Sequence, residues 1–322
     1  MEHARRIGFL LLPDFPLMSY ASAIEPLRAA NVLAGEAIYQ WSHLTVDGAP
    51  ARASVGLEIV PDLALESAQD LDALFVCAGG NPAGFDHKPT FARLRALAAA
   101  GVEIGGMSGG AFILARAGLL RRRRCTIHWE HIPALLEEFP DLLLERTLYV
   151  FDGDRSGGGG GLATCAGGLA AFDMMVDLIG RRHGARLAMA VGEWYLRTQS
   201  RSGEQPQRVS LRERTRVANS KVLKALALME ERIERPLARG ALARAAGVSL
   251  RQLERLFADH LGETLAAHYL GLRLDRARNL LRQTSLPVVE VALACGFAAS
   301  GHFSKRYKAR FGQAPSDERR RS

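Results

Sequence analysis

A change of periodicity near residue 200 constrains this chain more than any other feature. Before it, short apolar runs of strand character alternate with helical segments; from about Ser210 onward strand signals stop and everything reads helical. Such alternation predicts a parallel sheet covered by helices, and the all-helical remainder predicts a second, smaller domain. At 322 residues the chain can bury two cores. The boundaries read as 1–200 for an α/β domain, 201–215 for a linker starting near the polar "SRSGEQPQ", and 216–322 for the helical domain.

Within the first domain "RIGFLLL", "WSHLTV", "LDALFVCAGG" and "GVEIGGM" read as strands, and "CTIHW", "RTLYVFDGD" and "GLATCAGG" as further strands or edges. "PLMSYASAIEPLRAANVLAG" reads as a helix closed by Gly35, and "TFARLRALAAAG" as one ending at Gly101. The "SGGGGG" run, Ser156 to Gly161, has no GK[ST] after it and reads as a flexible connection rather than a phosphate loop.

Charge separates the domains further. From Arg201 onward there are 24 Lys/Arg against 12 Asp/Glu, a net +12, while the preceding residues hold 18 against 22, a net −4. A basic third on a slightly acidic body points to a polyanion partner for that third alone. Apolar runs are short and broken by charges, which excludes a membrane span, and "MEHARRIGFLLLPDF" has no cleavage signal, so a cytoplasmic protein is expected. Cys77, Cys125, Cys165 and Cys295 stand far apart without CxxC spacing and read as buried small apolar residues in a reducing compartment.

The basic third contains one arrangement twice. In "LARGALARAAGVSLRQLERLFADHLG" Gly247 permits positive φ at a helix end, Val248 plugs the gap, and Ser249 caps the next helix. Leu253, Leu256 and Phe257 share that helix's inner face, leaving Arg251, Gln252 and Arg255 outward, the layout of a helix-turn-helix that reads the major groove. About fifty residues on, "VVEVALACGFAASGHFSKRYKARFG" ends a helix at Cys295 and Gly296, buries Phe297, Phe303 and Tyr307, caps with Ser300, and leaves His302, Lys305 and Arg306 outward. "AHYLGLRLDRARNLLRQT" between them reads as a helix of roughly fifteen residues, about 22 Å long. Such a strut suits two recognition helices about one DNA turn, roughly 34 Å, apart. Double-stranded operator DNA is the expected partner.

These residues, from about Ser220 to Arg319, resemble the AraC-family DNA-binding domain, above all in "LARAAGVSLRQLERLF" and "VVEVALACGFAASGHFSKRYKARFGQAP". The resemblance implies sequence-specific transcription control, usually activation, with RNA polymerase as a further partner. Glu318 departs from the aromatic residue that family often has near its end, which implies different packing of the last turn. A non-specific DNA-coating protein is a further reading of the same basic charge.

Residues 5–195 resemble the class I glutamine amidotransferase-like (flavodoxin-like) superfamily that includes PfpI-type proteases, through "VCAGG", "GGMSGGAFILARAGLL" and "TCAGGLAAFDMMVDLI". The whole chain is thus similar to the GlxA-like regulators, in which such a domain is fused to an AraC-type one. In catalytic relatives the strand-to-helix elbow carries Cys followed by His, with a Glu from an early helix; the resemblance places Ser108, Gly109 and Glu25 at these positions. It also implies dimerisation through the body. "PQRVSLRERTRVANSKVLKALALMEERIERPL" is similar to the linker region of GlxA-like regulators of arginine, carnitine and glycine betaine catabolism.

A serine hydroxyl needs a base to become nucleophilic, and none adjoins Ser108 in the sequence. No enzyme activity is expected on this reading; an amidase or peptidase using Ser108, with a DNA-binding tail, is the alternative. His128 and His131 of "TIHWEH" read as structural or surface histidines; as a base, or as an i, i+3 metal pair lacking a third ligand, they are the weaker readings. No cofactor or metal is expected.

What the elbow retains is geometry. Backbone N–H groups at a helix start bind a carboxylate, and Gly79, Gly80 and Gly109 let a ligand approach the backbone. Glu25 supplies negative charge, while Trp129 beside His128 offers a face for an alkylammonium group. Such a pocket suits a zwitterion, an amino acid or a quaternary amine. Glu25 and Trp129 read equally well as cap and core residues.

Overall fold

The computed structural model describes residues 3–153, 161–197 and 199–319, so Ser156–Gly160 of the glycine run lie outside the described residues. The chain divides into two units, Met1–Gln207 and Arg208–Ser322. Among the described residues no helix is long and apolar enough to cross a membrane.

The first unit runs β1 (Arg5–Leu11), α1 (Leu17–Ala34), β2 (Tyr39–Thr45), β3 (Ala51–Arg52), β4 (Glu58–Ile59), β5 (Leu63–Ala64), β6 (Ala73–Ala78), α2 (Lys88–Ala99), β7 (Glu103–Ser108) and α3 (Gly110–Arg116). It continues with β8 (Arg124–Cys125), α4 (Ile132–Glu138), β9 (Leu143–Leu144), β10 (Tyr149–Asp152), β11 (Leu162–Cys165), α5 (Leu169–His183) and α6 (Ala185–Trp194). Seven strands form one sheet in the order β10-β11-β7-β6-β1-β2-β5. Every pairing in it is parallel except β10 with β11, so the sheet is mixed. Continuous apolar runs such as β6, buried at all six positions, follow from helices covering both faces. One core layer gathers Phe9, Phe75 and Met107 under α1 and α5, and the other gathers Leu10, Val76 and Phe112 under α2 and α3. All four cysteines are buried and free.

Residues 201–207, read from sequence as the start of the linker, are bound to the first unit. Buried Asp173 on α5 accepts from both Arg197 and Arg201, Leu148 N–H donates to Gly203 O at 3.0 Å, and the Gln207 side-chain amide donates to Ile127 O at 2.8 Å. Composition alone marks a polar stretch as loose; these anchors fix residues 199–207 as a strap.

The second unit comprises α7 (Leu211–Thr215), α8 (Ser220–Glu231), α9 (Arg239–Ala246), α10 (Leu250–Leu261), α11 (Leu265–Gln283), α12 (Val288–Ala294), α13 (Ser300–Phe311) and α14 (Pro315–Arg319). It holds two cores, one around Leu242, Leu253 and Phe257, the other around Leu280, Phe303 and Tyr307, and α11 contributes to both. That strut has 19 residues rather than fifteen, about 28 Å at 1.5 Å per residue. Thr264 caps it through its side chain, so it starts at Leu265, two residues before the stretch the apolar pattern marked.

Candidate functional site

The elbow lies at the carboxyl edge of the sheet, where β7 gives way to α3. Ser108 adopts φ 56°, a left-handed conformation unusual for a side-chain-bearing residue and a common mark of a functional turn. A Cβ at Gly110 would stand 2.1 Å from Val76 O, so only glycine lets α3 start this close to β6. Ser108 is buried, and the His128 backbone N–H donates to its carbonyl at 3.2 Å.

Among the described residues no hydrogen bond joins the Ser108 hydroxyl to a histidine, a carboxylate or a lysine. Burial lowers the pKa of His128, outweighing Glu130, so the ring is neutral near pH 7. Its Nδ1 accepts from Glu130 N–H at 3.4 Å. A neutral imidazole accepting at Nδ1 carries its proton on Nε2.

Several residues expected at the elbow serve otherwise. Glu25 accepts from Arg28 Nε at 2.8 Å and Tyr195 OH at 2.6 Å, and the tyrosine hydrogen bond lowers its pKa most. The α1 side chain at the elbow is instead Ser19, about 9 Å earlier along the helix. Its Oγ accepts from Gly168 N–H at 2.7 Å, and a Cβ on Gly167 would meet both Ser19 Oγ and Ser108 Cβ at 2.7 Å. Sequence matching favoured the acidic residue; the first helical turn pointing at the strand ends was the better signal.

The glycines are likewise taken up by the protein. Cβ atoms at Gly79 and Gly80 would meet Asp14 O at 2.6 Å and Asp14 Cβ at 3.1 Å. Gly109 N–H already donates to Ala78 O at 2.8 Å, which removes it as an anion donor. Trp129 stays 43% exposed, its ring 5.3 Å from that of His128. Met18, beside Ser19, and Leu169, beside Gly168, are also exposed apolar side chains on the segments that meet at the elbow. At the start of α5, Gly168, Ala170 and Ala171 donate to Ser19 Oγ, Gly167 O and Gly168 O, so what this 15-residue helix offers the elbow is chiefly the positive end of its dipole.

In the second unit the two helix-turn-helix copies form as the sequence predicts. Gly247 and Gly296 turn at φ 73° and 74°, and Gly296 is also required by space, because a Cβ would lie 2.6 Å from Pro236. Ser249 caps α10 by accepting from Gln252 N–H at 3.2 Å. Ser300 does not cap α13. It is the first helical residue, and Ala299 occupies the cap position without a side-chain bond.

Arg251, Gln252 and Arg255 are exposed on α10, as are His302, Lys305 and Arg306 on α13. Arg306 Nε donates to His302 Nε2 at 3.4 Å, placing the two on one face. Arg273, Arg278 and Arg282 of the strut are structural, a division that only contacts reveal. Arg273 donates to Cys295 O and Gly296 O, the carbonyls ending α12, and lies 4.1 Å over Phe297. Glu318 is buried and accepts from Arg278, Arg282, Tyr307 and Gln313.

A strand-to-helix elbow on a mixed α/β sheet, followed by paired helix-turn-helix units with outward cations, defines a regulator class in which an enzyme-like fold accompanies a DNA reader. The DJ-1/PfpI family matches residues 6–179, and the helix-turn-helix domain family matches residues 242–321. The chain is 46% identical to the HTH-type transcriptional regulator GlxA of Rhizobium meliloti (strain 1021), covering 100% of this chain and 97% of that protein. It is 36% identical to the HTH-type transcriptional regulator ArgR of Pseudomonas aeruginosa, covering 98% and 93%. The solved AraC family transcriptional regulator from Pseudomonas putida superposes with a TM-score of 0.53 at 30% identity, over 59% of this chain and 99% of that one. The chain belongs to the AraC/GlxA family of HTH-type transcriptional regulators, with an N-terminal domain of DJ-1/PfpI type.

Proposed function

We propose that this DNA-binding regulator senses a small nitrogenous metabolite at the Ser108 elbow, and that occupancy alters its operator binding. The observation that carries the reading is the elbow itself, kept in its strained conformation with no base hydrogen-bonded to its hydroxyl among the described residues. A carboxylate ligand is met there by the Ser108 hydroxyl and the positive end of the α5 dipole. Its cationic end meets an apolar rim of Trp129, Met18 and Leu169, because Glu25 is held by Arg28 and Tyr195. An apolar rim recognises a quaternary ammonium, which has no N–H groups to satisfy, better than a guanidinium, whose five donors need acceptors. Glycine betaine and carnitine are therefore favoured over arginine. An activating homodimer acting with RNA polymerase in the cytoplasm completes this reading.

Thermal-shift titration of the full chain with glycine betaine, carnitine, choline, arginine and neutral analogues tests it. Stabilisation by the quaternary compounds is expected; a response confined to uncharged or anionic compounds sinks the proposal.

A hydrolase reading draws on the same strained serine and the adjacent His128. Ser108→Ala separates the two: operator affinity is expected to stay within about twofold of wild type, since the substitution removes one hydroxyl from the first unit and none of the outward cations of the helical unit. Ester or amide turnover by the wild type that disappears in Ser108→Ala establishes the hydrolase instead.

A further inference from the structure

The first unit also holds a cavity of about 950 Å³ between β10, α5, α6 and the strap, lined by none of the residues assigned to the elbow. That volume suits a small organic ligand. Its apolar lining includes Tyr149, Phe172, Val176 and Met189, the last 66% exposed. The cations around it already have partners. Arg181 pairs with Asp177, Arg124 with Glu145, and Arg197 and Arg201 both with Asp173.

Two lining carboxylates, both exposed, differ: Glu193 on α6 and Glu204 on the strap have no side-chain hydrogen bond and no ion pair within 4.0 Å among the described residues, although the charge of Glu204 acts on Arg124, whose partner is Glu145. Spare acceptors beside an exposed methionine and aromatic rings complement a ligand with N–H donors at its charged ends and a methylene stem between them.

We propose that this cavity is a second ligand site, for a linear amine or guanidine cation, with α6 forming one wall and the strap its roof. Its chemistry is distinct from the elbow's: the elbow takes a cation without N–H donors, whereas Glu193 and Glu204 accept from them. The strap ends at Gln207 and the helical unit begins at Arg208. A cation bridging Glu193 and Glu204 favours the docked strap over any released one, because it binds only the former with both carboxylates.

Isothermal titration of the full chain with agmatine, a guanidinium and an ammonium joined by a methylene chain, tests the site. Saturable binding is expected, weakened at least about tenfold in the Glu193→Gln/Glu204→Gln double variant, a loss of about 1.4 kcal/mol. Met189→Trp, which fills the cavity from an exposed position, is expected to weaken it as well. Glycine betaine, titrated alongside, reports the elbow and is expected to be unaffected by all three substitutions. Agmatine binding where betaine gives no heat supports the cavity and sinks the elbow. No agmatine binding by the wild type at about 10 mM, a regime weaker than any specific site of this size, overturns the proposal. Unchanged affinity in both the double variant and Met189→Trp overturns it equally.

Discussion

Glu318→Ala is expected to destabilise the helical unit by about 3 kcal/mol, because it removes the single acceptor shared by four side chains in a buried network. Glu318 is 2% exposed and joins the strut α11 to recognition helix α13 through Arg278, Arg282 and Tyr307. Burial by itself raises a carboxyl pKa, but hydrogen bonds from Gln313, Tyr307, Arg278 and Arg282 outweigh it and bring this one from 4.5 down to about 2.

The sign of the pH effect follows. A carboxylate whose folded pKa is depressed adds stability that is fully present above its unfolded value and is lost as pH falls toward the folded one. The wild-type unit is therefore expected to lose about 3 kcal/mol relative to Glu318→Gln between roughly pH 4.5 and pH 2. All three tryptophans, Trp41, Trp129 and Trp194, lie in the first unit, so far-UV circular dichroism combined with tryptophan fluorescence separates the two unfolding transitions in the intact chain. A denaturation midpoint unchanged in Glu318→Ala shows that the network contributes nothing.

Arg251→Ala and Arg306→Ala are each expected to weaken operator binding by about tenfold to a hundredfold, the range for losing one charged groove contact worth 1–3 kcal/mol. Both side chains are exposed on their helices' outer faces, while Leu253 and Phe257, or Phe303 and Tyr307, hold the opposite faces in the cores. A base-reading arginine relaxes specificity at one operator position when removed; a phosphate-binding one weakens all sequences alike and lowers the salt dependence by about one ion. Fluorescence anisotropy on the operator and on scrambled duplex, at several salt concentrations, distinguishes these. If neither substitution changes affinity, the recognition face is elsewhere. Arg273→Ala is a contrasting control, since that arginine caps α12 and its loss should act through stability.

Local rules made much of this protein readable. Periodicity and turn chemistry determined the α/β body, the helical third and both helix-turn-helix copies, because Gly247, Gly296 and Ser249 act through their own backbone or a neighbour three residues away. The same rules identified the elbow and its lack of an adjacent base. Partnerships between residues distant in sequence were decided only by the tertiary structure. Glu25 was drawn off by Tyr195, 170 residues away, leaving Ser19 at the elbow. The strap was fixed by Asp173, and Glu318 became a buried junction by accepting from Arg278, 40 residues back. A side chain's charge is written in the sequence, but its function depends on which opposite charge or open donor the fold brings within about 3 Å, and no spacing rule encodes that.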